Sequence, residues 1–120
     1  MAVRLDVRPP AAPALVAVDR RSGRIIGSSR FNGYDAHRDE VEIGWTFIAR
    51  SHWGGTYNGE IKRLMLDHAF RFVTRVVFLI HPENTRSQRS VEKIGGVRAG
   101  SRPDAAGRVS LVYEFRRALN

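Results

Sequence analysis

The sequence predicts a single α/β domain of the α+β kind, with a mixed, mostly antiparallel sheet and one central parallel βαβ unit. Three observations predict it. Val41, Ile43, Trp45 and Phe47 alternate with Glu42, Gly44 and Thr46, as in a strand with one buried face. Ile61, Leu64, Met65, His68, Ala69 and Phe72 recur at helical spacing and define a core-facing stripe. Arg75 to Ile80 (RVVFLI) is a nearly continuous apolar run, the pattern of a strand buried on both faces. Strand, glycine-bearing loop, helix and buried strand in succession make a βαβ unit, whose crossover is almost always right-handed.

The remaining elements follow from turn chemistry and alternation. Residues 1–13 read as an extended arm, given Pro9, Pro10 and Pro13, with one domain over 14–120. Ala14–Val18 and Arg24–Phe31 form a hairpin across the turn residues Asp19-Arg20-Arg21-Ser22-Gly23. Asn32-Gly33 begins a polar loop that runs to about Asp39. The strand of residues 41–48 ends on the adjacent apolar pair Phe47-Ile48, which breaks the alternation and suggests a bulge or splay. A helix is expected from about Asn58 to Val73, with Asn58 as its cap and Glu60 in the first turn. After Pro82, Asn84 or Thr85 caps a short helix that ends at Gly95-Gly96. A weak strand from Val97 to Ser101 and an alternating one over Val109–Phe115 complete the chain.

Composition limits the function. The chain has 120 residues, 42% hydrophobic and 27% charged, enough for one core without a metal or disulfides. It has no cysteine, which excludes disulfide scaffolds, cysteine zinc sites and thiol nucleophiles, and agrees with a cytoplasmic location. No segment approaches the ~20 apolar residues of a membrane helix. His37, His52, His68 and His81 lack metal-ligand spacing, so no metal is expected. His68 lies on the apolar stripe and is read as a core histidine. A net charge of +8 points to an anionic partner, and coenzyme A, RNA and DNA all qualify.

The segment Trp53-Gly54-Gly55-Thr56-Tyr57-Asn58-Gly59-Glu60 joins strand to helix. The first turn of a helix carries free N–H groups and partial positive charge, and glycines let a phosphate approach the backbone. This is neither a Walker loop nor G-x-G-x-x-G. With Glu42-Ile43-Gly44-Trp45 before it, and Asn84-Thr85-Arg86-Ser87 and Glu92-Lys93-Ile94-Gly95-Gly96 after it, the stretch resembles motif A and the following segment of the GCN5-related N-acetyltransferases, in particular the ribosomal-protein alanine acetyltransferase branch. The order and spacing agree over about residues 40–102.

The resemblance implies acetyl-coenzyme A as co-substrate. Backbone amides of residues 54–59 would hold its pyrophosphate, with Trp53, Gly54, Gly55, Thr56, Tyr57, Asn58 and Gly59 around it. The pantetheine arm would lie between the splayed strands, bonded to the backbone of Phe47 and Ile48, with Asn84 and Ser87 on its other side. Thr56 stands where the family's central glycine stands, and Gly96 replaces a Phe or Ala. The resemblance also implies that the family's usual first strand and two helices are missing before residue 14. The truncated domain is therefore expected to dimerise over its uncovered sheet, or to have a start codon misplaced downstream of the missing segment.

The function these features imply is transfer of an acetyl group from acetyl-coenzyme A directly to a primary amine, on a small molecule or a protein N-terminus. Glu42, on the polar face of its strand, is the candidate general base; the alternative is a surface glutamate paired with an arginine. The family's tyrosine acid falls at Val91, so either the thiolate leaves unassisted or catalysis is poor. Tyr57, Tyr113, Trp45 and Trp53 are read as packing residues, with Trp53 also sheltering the loop. Two other functions remain in view: an inactive acyl-coenzyme A-binding remnant, and a basic nucleic-acid-binding domain. The second lacks an aromatic-plus-basic motif of an RNA-binding sheet.

Overall fold

A computed structural model describes residues 2–7, 14–53, 56–104 and 106–118. One seven-stranded sheet has the order β1-β2-β3-β4-β5-β7-β6. Its strands are β1 (Val3–Val7), β2 (Ala14–Asp19), β3 (Ile25–Asp35), β4 (Glu40–Ile48), β5 (Arg75–Ile80), β6 (Val97–Pro103) and β7 (Val109–Arg116). Every neighbouring pair is antiparallel except β4 and β5. Helix α1 (Tyr57–Ala69) links that parallel pair, and α2 (Thr85–Lys93) links β5 to β6. This is the mixed sheet with a central βαβ unit that the periodicities predict.

Both helices cover the same face of the sheet. Ile61, Met65, Leu66 and Ala69 of α1 and Val91 of α2 share one core with Val3, Ile43, Val76, Phe78, Tyr113 and Phe115. The opposite face carries Glu40, Arg75 and Glu114. Arg75 bridges Glu40 and Glu114, and Arg102 reaches the other oxygen of Glu40 at 2.9 Å. Paired charges of this kind satisfy one another at the start of the parallel pair, where burial would otherwise penalise them.

Several elements differ from expectation. Residues 3–7 of the expected arm form β1, paired in register with β2 from Val3↔Asp19 to Val7↔Leu15. A strand thus occupies part of the expected arm, because Val3, Leu5 and Val7 alternate with Arg4 and Asp6 ahead of the prolines. Residues 8–13 of the arm lie outside the described residues.

Asn32 and Gly33, expected in a loop, extend β3 to Asp35. Gly33 has φ +59 and sits where the β3–β4 register shifts, so the glycine serves a bulge rather than a turn. The chain turns at residues 36–39 instead. The helix after the glycine loop stops at Ala69, not Val73. Its last expected stripe residues are therefore off the core: Phe72 is 71% exposed. His68 is likewise exposed and not a core histidine; its ring sits between Phe31 and Phe72, with centroids 5.7 and 5.5 Å away.

Candidate active site

β4 and β5 pair only from Glu40↔Arg75 to Glu42↔Val77. Beyond Glu42 the two strands diverge. One feature of β4 drives this. A register shift against β3 between Ser28 and Arg30 places an extra residue on β4, and it turns Phe47 outward (63% exposed) while Ile48 packs inward. The bulge expected from the Phe47-Ile48 pair is thus present. A notch of about 170 Å³ opens between the strands, lined by Ile43 and Gly44 of β4, by Phe78, Leu79, Ile80 and His81, and by Lys62, Asn84, Ser87 and Val91.

The notch continues past Lys62, Asn58, Asn84 and Ser87 toward Phe47, Ile48 and Trp53. It leads to a larger cavity of about 560 Å³ between the two helices. Arg63 projects there from α1, and Arg86, Arg89 and Lys93 from α2; among the described residues Glu60 is the one carboxylate on its wall. Positions 86, 89 and 93 recur at helical spacing, so this cationic face was readable in the sequence, though the predicted site omits it. Four cations against one carboxylate make the cavity electropositive.

The α1 N-terminus faces this cavity through Thr56, Asn58, Gly59 and Glu60. The first helical hydrogen bond runs from the Glu60 N–H to the Thr56 carbonyl at 3.0 Å. Among the described residues, the amides of Tyr57, Asn58 and Gly59 have no acceptor. Gly54 and Gly55, predicted to cradle the pyrophosphate, lie outside the described residues. Thr56 has φ −91 and ψ −7, ordinary right-handed backbone. A β-carbon is therefore tolerated where the family has glycine.

Other predicted residues take roles the sequence did not indicate. Thr56, not Asn58, occupies the cap position of α1. Asn58 lies inside the first turn; its amide donates to Ser90 Oγ at 3.1 Å and its carbonyl oxygen accepts from Lys62 Nζ at 2.9 Å. Asn84 caps α2, accepting from the Ser87 N–H at 3.1 Å, and both residues line the notch. The Trp53 indole N–H donates to the Ile48 carbonyl at 2.9 Å, and Arg86 and Arg50 stack on its ring at 4.7 and 5.3 Å. The Ile48 carbonyl offered to pantetheine is thus already engaged, with one lone pair remaining. Tyr57 packs edge-on against His52. Tyr113 is buried, donates to Glu92 Oε2 at 3.1 Å and lies outside the notch, as a packing residue should. The side chain of Trp45 lies outside the described residues.

Glu42 sits at the vertex of the splay, on the face turned away from the helices. Burial raises its pKa, Arg102 opposes the rise and Glu40 adds to it. The ion pairs weighed as an alternative for Glu42 fall on Glu40 instead: among the described residues no arginine contacts the Glu42 carboxylate.

His52 Nε2 lies 3.0 Å from Asp19 Oδ2, and this contact lowers the Asp19 pKa. The pair ties the loop after β4 to the β2–β3 turn. His52 lines the larger cavity and His81 the notch, so both flank the channel. Among the described residues no cluster of His, Asp and Glu could hold a metal.

Lys62 is the residue that sequence reasoning missed. It is 7% exposed, on a helix whose buried positions are 61, 62, 65, 66 and 69. The i, i+4 step from Asn58 was the available signal.

The acetyltransferase (GNAT) domain profile matches residues 5–97, three quarters of the chain. The chain belongs to the acetyltransferase (GNAT) family. No curated protein matches in sequence. Solved structures with the same fold include an acetyltransferase (GNAT family) from Bacillus anthracis, 24% identical with TM-score 0.71, over 86% of this chain and 65% of that one. Others are the ribosomal-protein-S5-alanine acetyltransferase of Vibrio fischeri (17%, 0.71, 86% and 60%) and Mycobacterium smegmatis RimJ in complex with CoA-disulfide (23%, 0.72, 86% and 52%). This GNAT chain spans about half to two thirds of the length of these relatives. No helix among its described residues is long and apolar enough to cross a membrane.

Proposed function

We propose that this GNAT domain binds acetyl-coenzyme A along the channel from the interhelical cavity to the notch, and transfers the acetyl group directly to a primary amine. The observation that carries this reading is a cavity with four cations beside a helix N-terminus, opening into a gap between two strands of one sheet. A nucleotide diphosphate suits the first part, since backbone N–H groups and guanidinium forks both bind phosphate oxygens. A narrow polar arm suits the second. The bound thioester supplies an activated acetyl group.

The residues of this chain would do the rest. Glu42 is the base, accepting a proton from the attacking amine on the face away from the helices. Its raised pKa keeps it a stronger acceptor than an ordinary carboxylate. Asn84 and Ser87 hold the arm from α2, and Phe47 and Ile48 offer strand backbone.

The fold neighbours that act on ribosomal proteins favour a protein N-terminus as acceptor, and a cytoplasmic location goes with it. Exposed Tyr34 and Phe72, beside one another on an apolar patch, support self-association as a homodimer, which light scattering tests. Thermal unfolding with and without coenzyme A, followed by thiol release across an amine panel, tests the central reading. Neither a shift nor turnover would exclude it.

The competing reading is a binder without catalysis. Val91, buried beside the notch, favours it because it offers no proton. That reading expects binding without turnover, and no measurable effect of Glu42→Gln. Nucleic acid is disfavoured because the cavity's cations converge between two helices rather than along an open face.

A further inference from the structure

Lys62 presents an ammonium to the channel with no anion beside it. Its Nζ donates to Asn58 Oδ1 at 2.9 Å, and among the described residues it has no carboxylate partner and no second acceptor. A buried lysine is ordinarily paired, since desolvating an unpaired charge is costly. Two of its three N–H groups therefore remain for something that enters the channel.

Its position defines what that is. Lys62 lines both the notch and the passage toward Phe47 and Trp53. It stands on the helix side of the gap, whereas Glu42 stands at the vertex on the other face of the sheet. The walls around Lys62 carry few other ionisable groups. β5 contributes His81 at its end and α2 contributes Arg86; β4 contributes none. Val91 of α2 faces the same notch and is inert.

On the acetyl-transfer reading above, we infer that the Lys62 ammonium gives the proton that the departing thiolate needs. The amine nitrogen attacks the thioester carbonyl, a C–N bond forms and the C–S bond breaks. The sulfur keeps the bonding pair and takes a proton from Lys62 Nζ. The nitrogen loses its own proton to Glu42. Neutral Lys62 then regains a proton from solvent as ionised Glu42 is restored, so one amine and one thioester become one amide and one thiol.

The chemistry of the site agrees with this placement. Desolvation lowers Lys62 to about 8, close to an ordinary thiol, so the transfer is nearly balanced. An alkylammonium of ordinary pKa would give its proton up less readily.

The test uses the full chain with Lys62→Met and Lys62→Arg. Lys62→Met is expected to lower kcat about 100-fold while KM for acetyl-coenzyme A changes less than about threefold. The fall in kcat with rising pH should disappear. Lys62→Arg keeps the charge but cannot release a proton, and should be as slow as Lys62→Met. A binding readout accompanies the kinetics. The thiol of bound coenzyme A, followed by its thiolate absorbance, should have an acid dissociation constant at least about tenfold larger in the wild type than in Lys62→Met. Wild-type kcat in either variant, or the same thiol titration in both proteins, would overturn the inference while leaving acetyl transfer standing. A wild type that neither binds coenzyme A nor releases thiol would bring both down.

Discussion

Replacing Lys62 by methionine should make the protein more stable, and by a pH-dependent amount. Lys62 is 7% exposed, and desolvation brings its pKa from 10.5 to about 8. Its folded value thus lies below its unfolded value. Below about pH 8 the amine is charged in both states, and the folded state bears the full burial cost. Between about 8 and 10.5 the folded state sheds its proton first, so stability rises with pH across that window and levels off above it. At 1.36 kcal/mol per unit, the cost at pH 7 is about 3 kcal/mol.

Methionine has similar length and no charge, so it removes this cost but forfeits the bond to Asn58, worth about 1 kcal/mol. The expected gain at pH 7 is about 2 kcal/mol, or roughly 10 °C in Tm for a domain of this size. Paired denaturant melts at pH 7 and 10 measure it. The gain should be largest at pH 7 and fall toward zero, or reverse, near pH 10.5. A methionine variant less stable than wild type at pH 7, or a difference independent of pH, would refute the argument. The chain has only two lysines, Lys62 and Lys93, so lysine-selective NMR can follow the titration directly.

Four further outcomes follow. Reversing two cavity charges, Arg86→Glu with Arg89→Glu, should weaken coenzyme A binding at least about tenfold in calorimetry and flatten its salt dependence. Glu42→Gln should lower acetyl transfer about 100-fold and abolish the acid limb of the pH profile; in the wild type that limb lies above the ordinary carboxylate range, and activity falls as pH drops through it. Gly96→Ala should cost about 1–3 kcal/mol in a thermal melt, because its β-carbon would run into Val91 Cγ1 and lie 3.0 Å from the Phe115 ring. Arg75→Ala should cost about 3 kcal/mol in the same assay, since it leaves the carboxylate of Glu40, 3% exposed, with one partner instead of two.

The central unit was legible because its signals are periodic. β4 alternates, β5 is continuously apolar and α1 repeats at helical spacing, and each period answers to one burial geometry. What failed was local chemistry whose meaning depends on partners. Three prolines after Val7 dominated the reading of the first residues and hid a five-residue strand that only pairing with β2 reveals. Asn32-Gly33 has the composition of a turn, yet the same glycine conformation serves a bulge inside β3. Phe72 continues the apolar period past the point where α1 stops, because periodicity does not mark the end of a helix that lacks a glycine stop. Of the residues expected from motif order, Asn84 and Ser87 line the notch and Glu42 ends the β4–β5 pairing. Lys62 was not among them, because a lone lysine in a helix reads as solvated until its neighbours are known. The cations of α2 were readable from their helical spacing, but their convergence with Arg63 depends on how the two helices pack.

The indole of Trp53 gives the protein an optical handle on its own channel. Its N–H is held by a carbonyl of β4, and two guanidinium groups press on its ring. Anything that threads between the strands must disturb that carbonyl, and any polyphosphate that draws Arg86 away must unload one side of the ring. Either event changes the polarity and quenching around a half-exposed fluorophore. Emission from Trp53, isolated by replacing Trp45 with phenylalanine, should therefore report occupancy in a stopped-flow cell without any label.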